Sequence, residues 1–181
     1  MKNLILLIFT MLIVSCTNKT KGNNVSEVIS FMIDKKAFPL PPPPLNGTSS
    51  KVKDSLLNLK LKVALFPIME DVEVEKIPEE YRYILKNQDG DFEKLRQENV
   101  YSKKGHQIIM ADTIELKKSK DFNSFDLLFH FSKLYYSKDK QKVFFELGVS
   151  RSRLAGQSTF YVLKKQNDKW GVEYSKPLSI W

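Results

Sequence analysis

Cysteine is nearly absent from this chain, with one in 181 residues, at position 16. That excludes an intramolecular disulfide and any thiolate-rich zinc site, each of which needs several cysteines. Histidine is almost as scarce. His106 and His130 are the only two, too far apart for the close pair of imidazoles with an adjoining carboxylate that a zinc hydrolase requires. No Gly-x-Ser-x-Gly elbow, phosphate loop or dinucleotide fingerprint occurs. The apolar run Leu4 to Val14 extends only about 16 Å as a helix, against the roughly 30 Å of a bilayer core, so it does not span a membrane. What remains is a globular composition, 42% hydrophobic and 28% charged, with seven glycines and eight prolines. The length is that of about one domain.

A basic head (Met1-Lys2-Asn3), a short apolar stretch and a small residue before a cut form the pattern of a secretory signal peptide, here residues 1–15. Ile13-Val14-Ser15-Cys16 resembles the bacterial lipobox, an aliphatic residue and two tolerant positions before an obligatory cysteine. The likeness covers only these sixteen positions, but the sole cysteine stands where the motif demands it. It implies a diacylglycerol thioether on Cys16, cleavage before it, and a fatty acyl group such as palmitate on the new amino terminus. Two or three acyl chains hold a protein durably where one binds marginally. Thr17 stands where enterobacterial lipoproteins retained in the inner membrane carry Asp. Residues 17–24 hold two lysines and no acid, unlike the acid-rich export tag on surface lipoproteins of the Bacteroidetes. The expected location is the outer membrane, on its periplasmic face.

Residues 16–24 read as the lipidated cysteine and a polar tether. In 25–50 a helix precedes a proline-rich linker. Val25, Val28, Ile29, Met32 and Ile33 make one helical stripe, and Asn24 with Glu27 marks its start. Pro39 and Pro41 to Pro44 impose an extended spacer or strap. Residues 51–181 read as a single α+β domain. Alternation from Leu57 to Phe66 predicts a strand ended by Pro67, and Glu70 to Glu75 a second, shorter one. Pro78-Glu79-Glu80 opens a short helix, and Asp91 caps another near Phe92 to Gln97. From His106 onward the shared parity of Ile108, Met110, Ile114 and Leu116, that of Phe125, Leu127, Phe129, Phe131 and Tyr135, and three further segments at short intervals, 142–150, 157–165 and 169–176, predict an antiparallel meander joined by polar turns and packed with two or three short helices.

The close of the chain, Leu154-Ala155-Gly156-Gln157-Ser158, then Asn167-Asp168-Lys169-Trp170, then Trp181, is similar to the terminal hairpin of small uncharacterised lipoproteins of the Bacteroidetes. Helices followed by a curved meander also resemble the cone of the nuclear transport factor two superfamily, in element order only.

Charge is uneven. Residues 16–100 hold thirteen basic and thirteen acidic side chains, whereas 101–181 hold fifteen basic and eight acidic. Arg151 and Arg153 share a strand parity and could grip an anionic small molecule, lipid headgroup or glycan with guanidinium forks. His130 lies opposite Phe129 and Phe131 in parity, beside Asp126 and Ser132, but alternate strand residues stand about 7 Å apart, too far for direct proton transfer. Asn87, Asp89, Asp91 and Glu93 around Gly90 lack the calcium-loop spacing. Adjacent Glu79 and Glu80 diverge, unlike paired glycosidase carboxylates. No metal or cofactor is expected, nor nucleic acid for an exported protein. The expectation is a membrane-anchored, non-enzymatic protein-binding module. An anion binder through Arg151 and Arg153 is the alternative, and a hydrolase built on His130 is the weakest. Neither a specific partner nor an oligomeric state follows from the sequence.

Overall fold

The computed structural model describes residues 23–39, 55, 58–87, 95, 100–112, 116, 124–152 and 154–181. Cys16 and its tether, the run Pro41 to Pro44, the acids flanking Gly90, the short helix expected near Phe92 and Arg153 lie outside the described residues.

The expected amphipathic stripe forms helix α1, Asn23–Lys36. Val28, Ile29, Met32 and Ile33 are fully buried along it and Val25 packs beside them. Each such side chain contributes about 1.5–3 kcal/mol by leaving water. The helix lies on one face of a seven-stranded sheet: β1 Lys62–Leu65, β2 Gln107–Met110, β3 Leu127–Phe131, β4 Tyr135–Tyr136, β5 Lys142–Ser152, β6 Ala155–Gln166 and β7 Lys169–Ile180. The order is β2-β1-β3-β5-β6-β7, with β4 pairing β5 beyond the end of β3. The fold is therefore α+β and dominated by its sheet, which is open, with β2 and β7 as its edges.

Strands β3 to β7 are antiparallel neighbours, as the turn-rich second half implies. In contrast, β1 runs parallel to both β2 and β3. Alternation fixes which face a side chain takes but not strand direction. The long connections 66–106 and 111–126 are what permit parallel pairing, which needs a crossover of a dozen residues or more. The expected strand at Glu70 to Glu75 is instead a loop with a 3-10 turn at Val74–Lys76. Its backbone is tied elsewhere: the Glu70 carbonyl accepts from Lys133 N–H at 2.8 Å, and Val72 is buried.

Beneath α1, Phe129, Phe131, Phe145 and Tyr161 form an aromatic row across β3, β5 and β6, with successive centroids 6.2, 5.7 and 5.8 Å apart. The opposite face has two separate covers. Tyr81, in the 3-10 segment Glu79–Asn87, packs on Phe144, Phe160 and Tyr174, with Val72 and Ile77 in the same cluster. Ala111, Leu116 and Phe125 cover Ala64 and Leu128.

The β6–β7 hairpin turns through Asn167 and Asp168, both at positive φ (48° and 57°), the conformation a two-residue hairpin loop requires. Strand β7 carries two register shifts and Pro177, devices that blunt an edge against further strand pairing.

Candidate functional site

The strand register gives the sheet two ends. At one, the β5–β6 turn brings Leu154 beside the close of β7, where Gly156 pairs with Trp181 and Gln157 with Ile180. Phe38, just past α1, reaches the same end because Arg151 Nη1 donates to its carbonyl at 2.8 Å. Four large apolar side chains are thus exposed at this end, with the Trp181 indole over Gly156 and Gly148 on the face away from α1 and Phe38 beside the close of α1. Leu154 is 89% exposed, Ile180 83%, Trp181 48% and Phe38 41%. Apolar side chains left this exposed at a hairpin tip and strand end add little to the core, and several at one end of the sheet mark it as a contact surface. The sequence placed Leu154 and Trp181 in the terminal hairpin without giving them a role. The signal available was a leucine in a turn where polar residues and glycine are usual.

Arg151 lies within this end but is half-buried, and desolvation lowers its pKa from the ordinary arginine value. One of its five N–H donors is committed to the Phe38 carbonyl, and it forms no ion pair with any described carboxylate. Its observed contact is a tie between β5 and the end of α1. Arg153 lies outside the described residues.

Among the described residues the histidines meet no catalytic constellation. Asp126 Oδ2 accepts Lys62 N–H at 2.7 Å, and Ser132 Oγ donates to the Lys133 carbonyl while accepting Glu146 N–H at 2.8 Å. Both groups are thus bound to backbone. His130 instead meets the edge of Phe66, centroid to centroid 4.9 Å, and its Nε2 is buried without a hydrogen-bond partner. His106 is buried, and its Nδ1 accepts Leu61 N–H at 3.2 Å. That bond requires an unprotonated Nδ1, and burial lowers the imidazole pKa.

A second polar cluster joins the loop after β1 to the break between β3 and β4. Asp71 Oδ1 accepts the Tyr135 hydroxyl at 2.7 Å and Lys133 Nζ at 2.8 Å. Lys133, then Tyr135, hold the carboxyl below its usual range. Burial, then the same carboxylate, pushes the Tyr135 phenol up to about 12. A phenol held neutral in this way is a clamp, not a base.

Among the described residues no group of three or more His, Cys, Asp and Glu side chains could hold a metal ion, and no helix is long and apolar enough to cross a membrane. Neither a family model, a curated protein nor a solved structure matches the chain.

Proposed function

We propose that this chain is a lipoprotein of the bacterial envelope, held by acyl chains on Cys16 to the periplasmic face of the outer membrane, and that its domain is a non-enzymatic protein-binding module. The lipobox at Ile13 to Cys16 supports the anchor. One observation carries the binding role: the exposed apolar end formed by Phe38, Leu154, Ile180 and Trp181. Protruding aliphatic and aromatic anchors of this kind fill pockets on a partner protein and supply most of the energy of a small interface. The blunted edge of β7 argues against a partner that adds a strand, so recognition runs through side chains.

Chemical crosslinking in the native envelope, followed by purification and mass spectrometry, tests the reading. A single protein recovered near one-to-one, and lost from a Leu154→Asp, Ile180→Asp double variant that still folds, is the expected result. Recovery of the lipoprotein alone contradicts it.

A further inference from the structure

We propose that the end of the sheet opposite Leu154 faces the membrane and sets its lysines against anionic lipid headgroups. The proposal rests on acylation of Cys16 and adds to it an orientation and a lipid class.

Three observations place that end. Helix α1 begins over it, because Glu27 in its first turns pairs with Lys165 Nζ at 3.6 Å, next to the β6–β7 hairpin. Six residues lie between Cys16 and Asn23, which makes seven Cα-to-Cα steps. Whatever their conformation, these steps reach at most about 25 Å, so the start of α1 is held within that distance of the headgroups. Leu154, at the far end of a twelve-residue β6, lies about 35 Å further along the sheet.

The same end is basic. Lys142 and Lys165 are neutralised by Glu173 and Glu27, whereas Lys138, Lys140, Lys164 and Lys169 are exposed and form no ion pair among the described residues. The facing acids are Asp139 and Asp168. Asp139 is turned inward on its own turn, where it accepts from Ser137 Oγ and from Gln141 N–H. The lysines stand on defined supports: Lys140 N–H donates to the Ser137 carbonyl at 2.8 Å, and Lys142 N–H to Ser137 Oγ at 2.9 Å. Each lysine brought to an anionic surface raises affinity about fivefold, and the effect fades within a Debye length. A tether this short lets the turn lysines reach that field, and their attraction to it then presents the apolar end away from the bilayer.

The test uses the acylated chain in vesicles of phosphatidylethanolamine with phosphatidylglycerol, and in phosphatidylcholine alone. With Cys16 acylated, a thiol introduced as Lys138→Cys or Leu154→Cys is the only free one and takes a fluorophore. Headgroup-labelled nitroxide lipid reads its distance from the membrane. Several-fold stronger quenching at 138 than at 154 in the anionic vesicles, with a smaller difference in phosphatidylcholine, is the expected result. Unlipidated Cys16→Ser protein should also sediment with anionic vesicles at low salt, with affinity about a hundredfold lower after Lys140→Gln, Lys164→Gln and Lys169→Gln together. Equal or reversed quenching on a chain whose mass shows acylation overturns the orientation and directs those lysines to an acidic protein or another polyanion. Absence of acyl mass on Cys16 overturns the anchor itself, and the inference with it.

Discussion

The indole of Trp181 occupies the space where a side chain on Gly156 would begin. A β-carbon built on Gly156 falls 2.5 Å from Trp181 Cε2 and 2.6 Å from Cζ2 and Nε1. The two residues also exchange backbone hydrogen bonds, at 2.8 and 3.0 Å. Glycine is thus required here by contact, and it sets the position of an aromatic ring at the apolar end.

Gly156→Ala should displace that indole and destabilise the domain by about 1–3 kcal/mol through overpacking. The same substitution in a Trp181→Ala background should cost far less. A double-mutant cycle from urea unfolding measures the coupling, and equal costs in both backgrounds would show that the ring does not rest on Gly156.

His106 gives the domain an acid sensitivity. Its folded pKa is lowered by burial, so the unfolded chain takes up the proton first as pH falls. Its contribution is fully present above about 6.5, the unfolded value, and is lost as pH falls from there through the folded pKa. The urea midpoint should drop across this window in the wild type. In His106→Gln, already less stable at neutral pH, the drop should be smaller; an unchanged slope would remove His106 as its source.

Tyr135 gives the opposite window. Its phenol is raised to about 12, so its contribution is complete below about 10 and is lost as pH rises from there through about 12. Tyr135→Phe should destabilise by about 1.5 kcal/mol, the low end for a hydrogen bond to a charged acceptor, because the Asp71 carboxylate is largely exposed. Ultraviolet titration should lose one late-ionising phenol. Asp71, whose pKa is lowered first by Lys133, adds a separate loss at acid pH as that carboxyl protonates.

Asp168→Gly should stabilise the domain by about 0.5–1 kcal/mol. Position 168 has φ 57°, and glycine adopts that conformation without the strain of a β-carbon. Thermal unfolding checks the sign. A loss of stability would mean that the aspartate side chain contributes more than the backbone strain removes.

The sequence made several of these elements legible through local periodicity. The α1 stripe, the hairpin through Asn167 and Asp168, and the alternation of β3 appear as expected, and strands β5, β6 and β7 cover the expected segments, although β5 and β6 are buried on both faces and do not alternate. The opposed faces of Phe129 and His130 follow from the same parity. Other features are set by contacts distant in sequence. The parallel placement of β1 and the tie of Asp71 to Lys133 and Tyr135 leave no local pattern. The bond from Arg151 to Phe38 spans 113 positions, and nothing near either residue announces it. The apolar end has no local pattern for the same reason, since Leu154 and Ile180 reach one end through strand register and Phe38 through the Arg151 bond.

The most direct test of the central claim, a partner held at the apolar end, is photocrosslinking in the intact envelope with a photoreactive residue at Leu154 or Ile180 and a control at Lys140. The account predicts a discrete adduct with one protein from either apolar position and none with that protein from Lys140. The same adduct from Lys140, or none from Leu154 and Ile180, would contradict it.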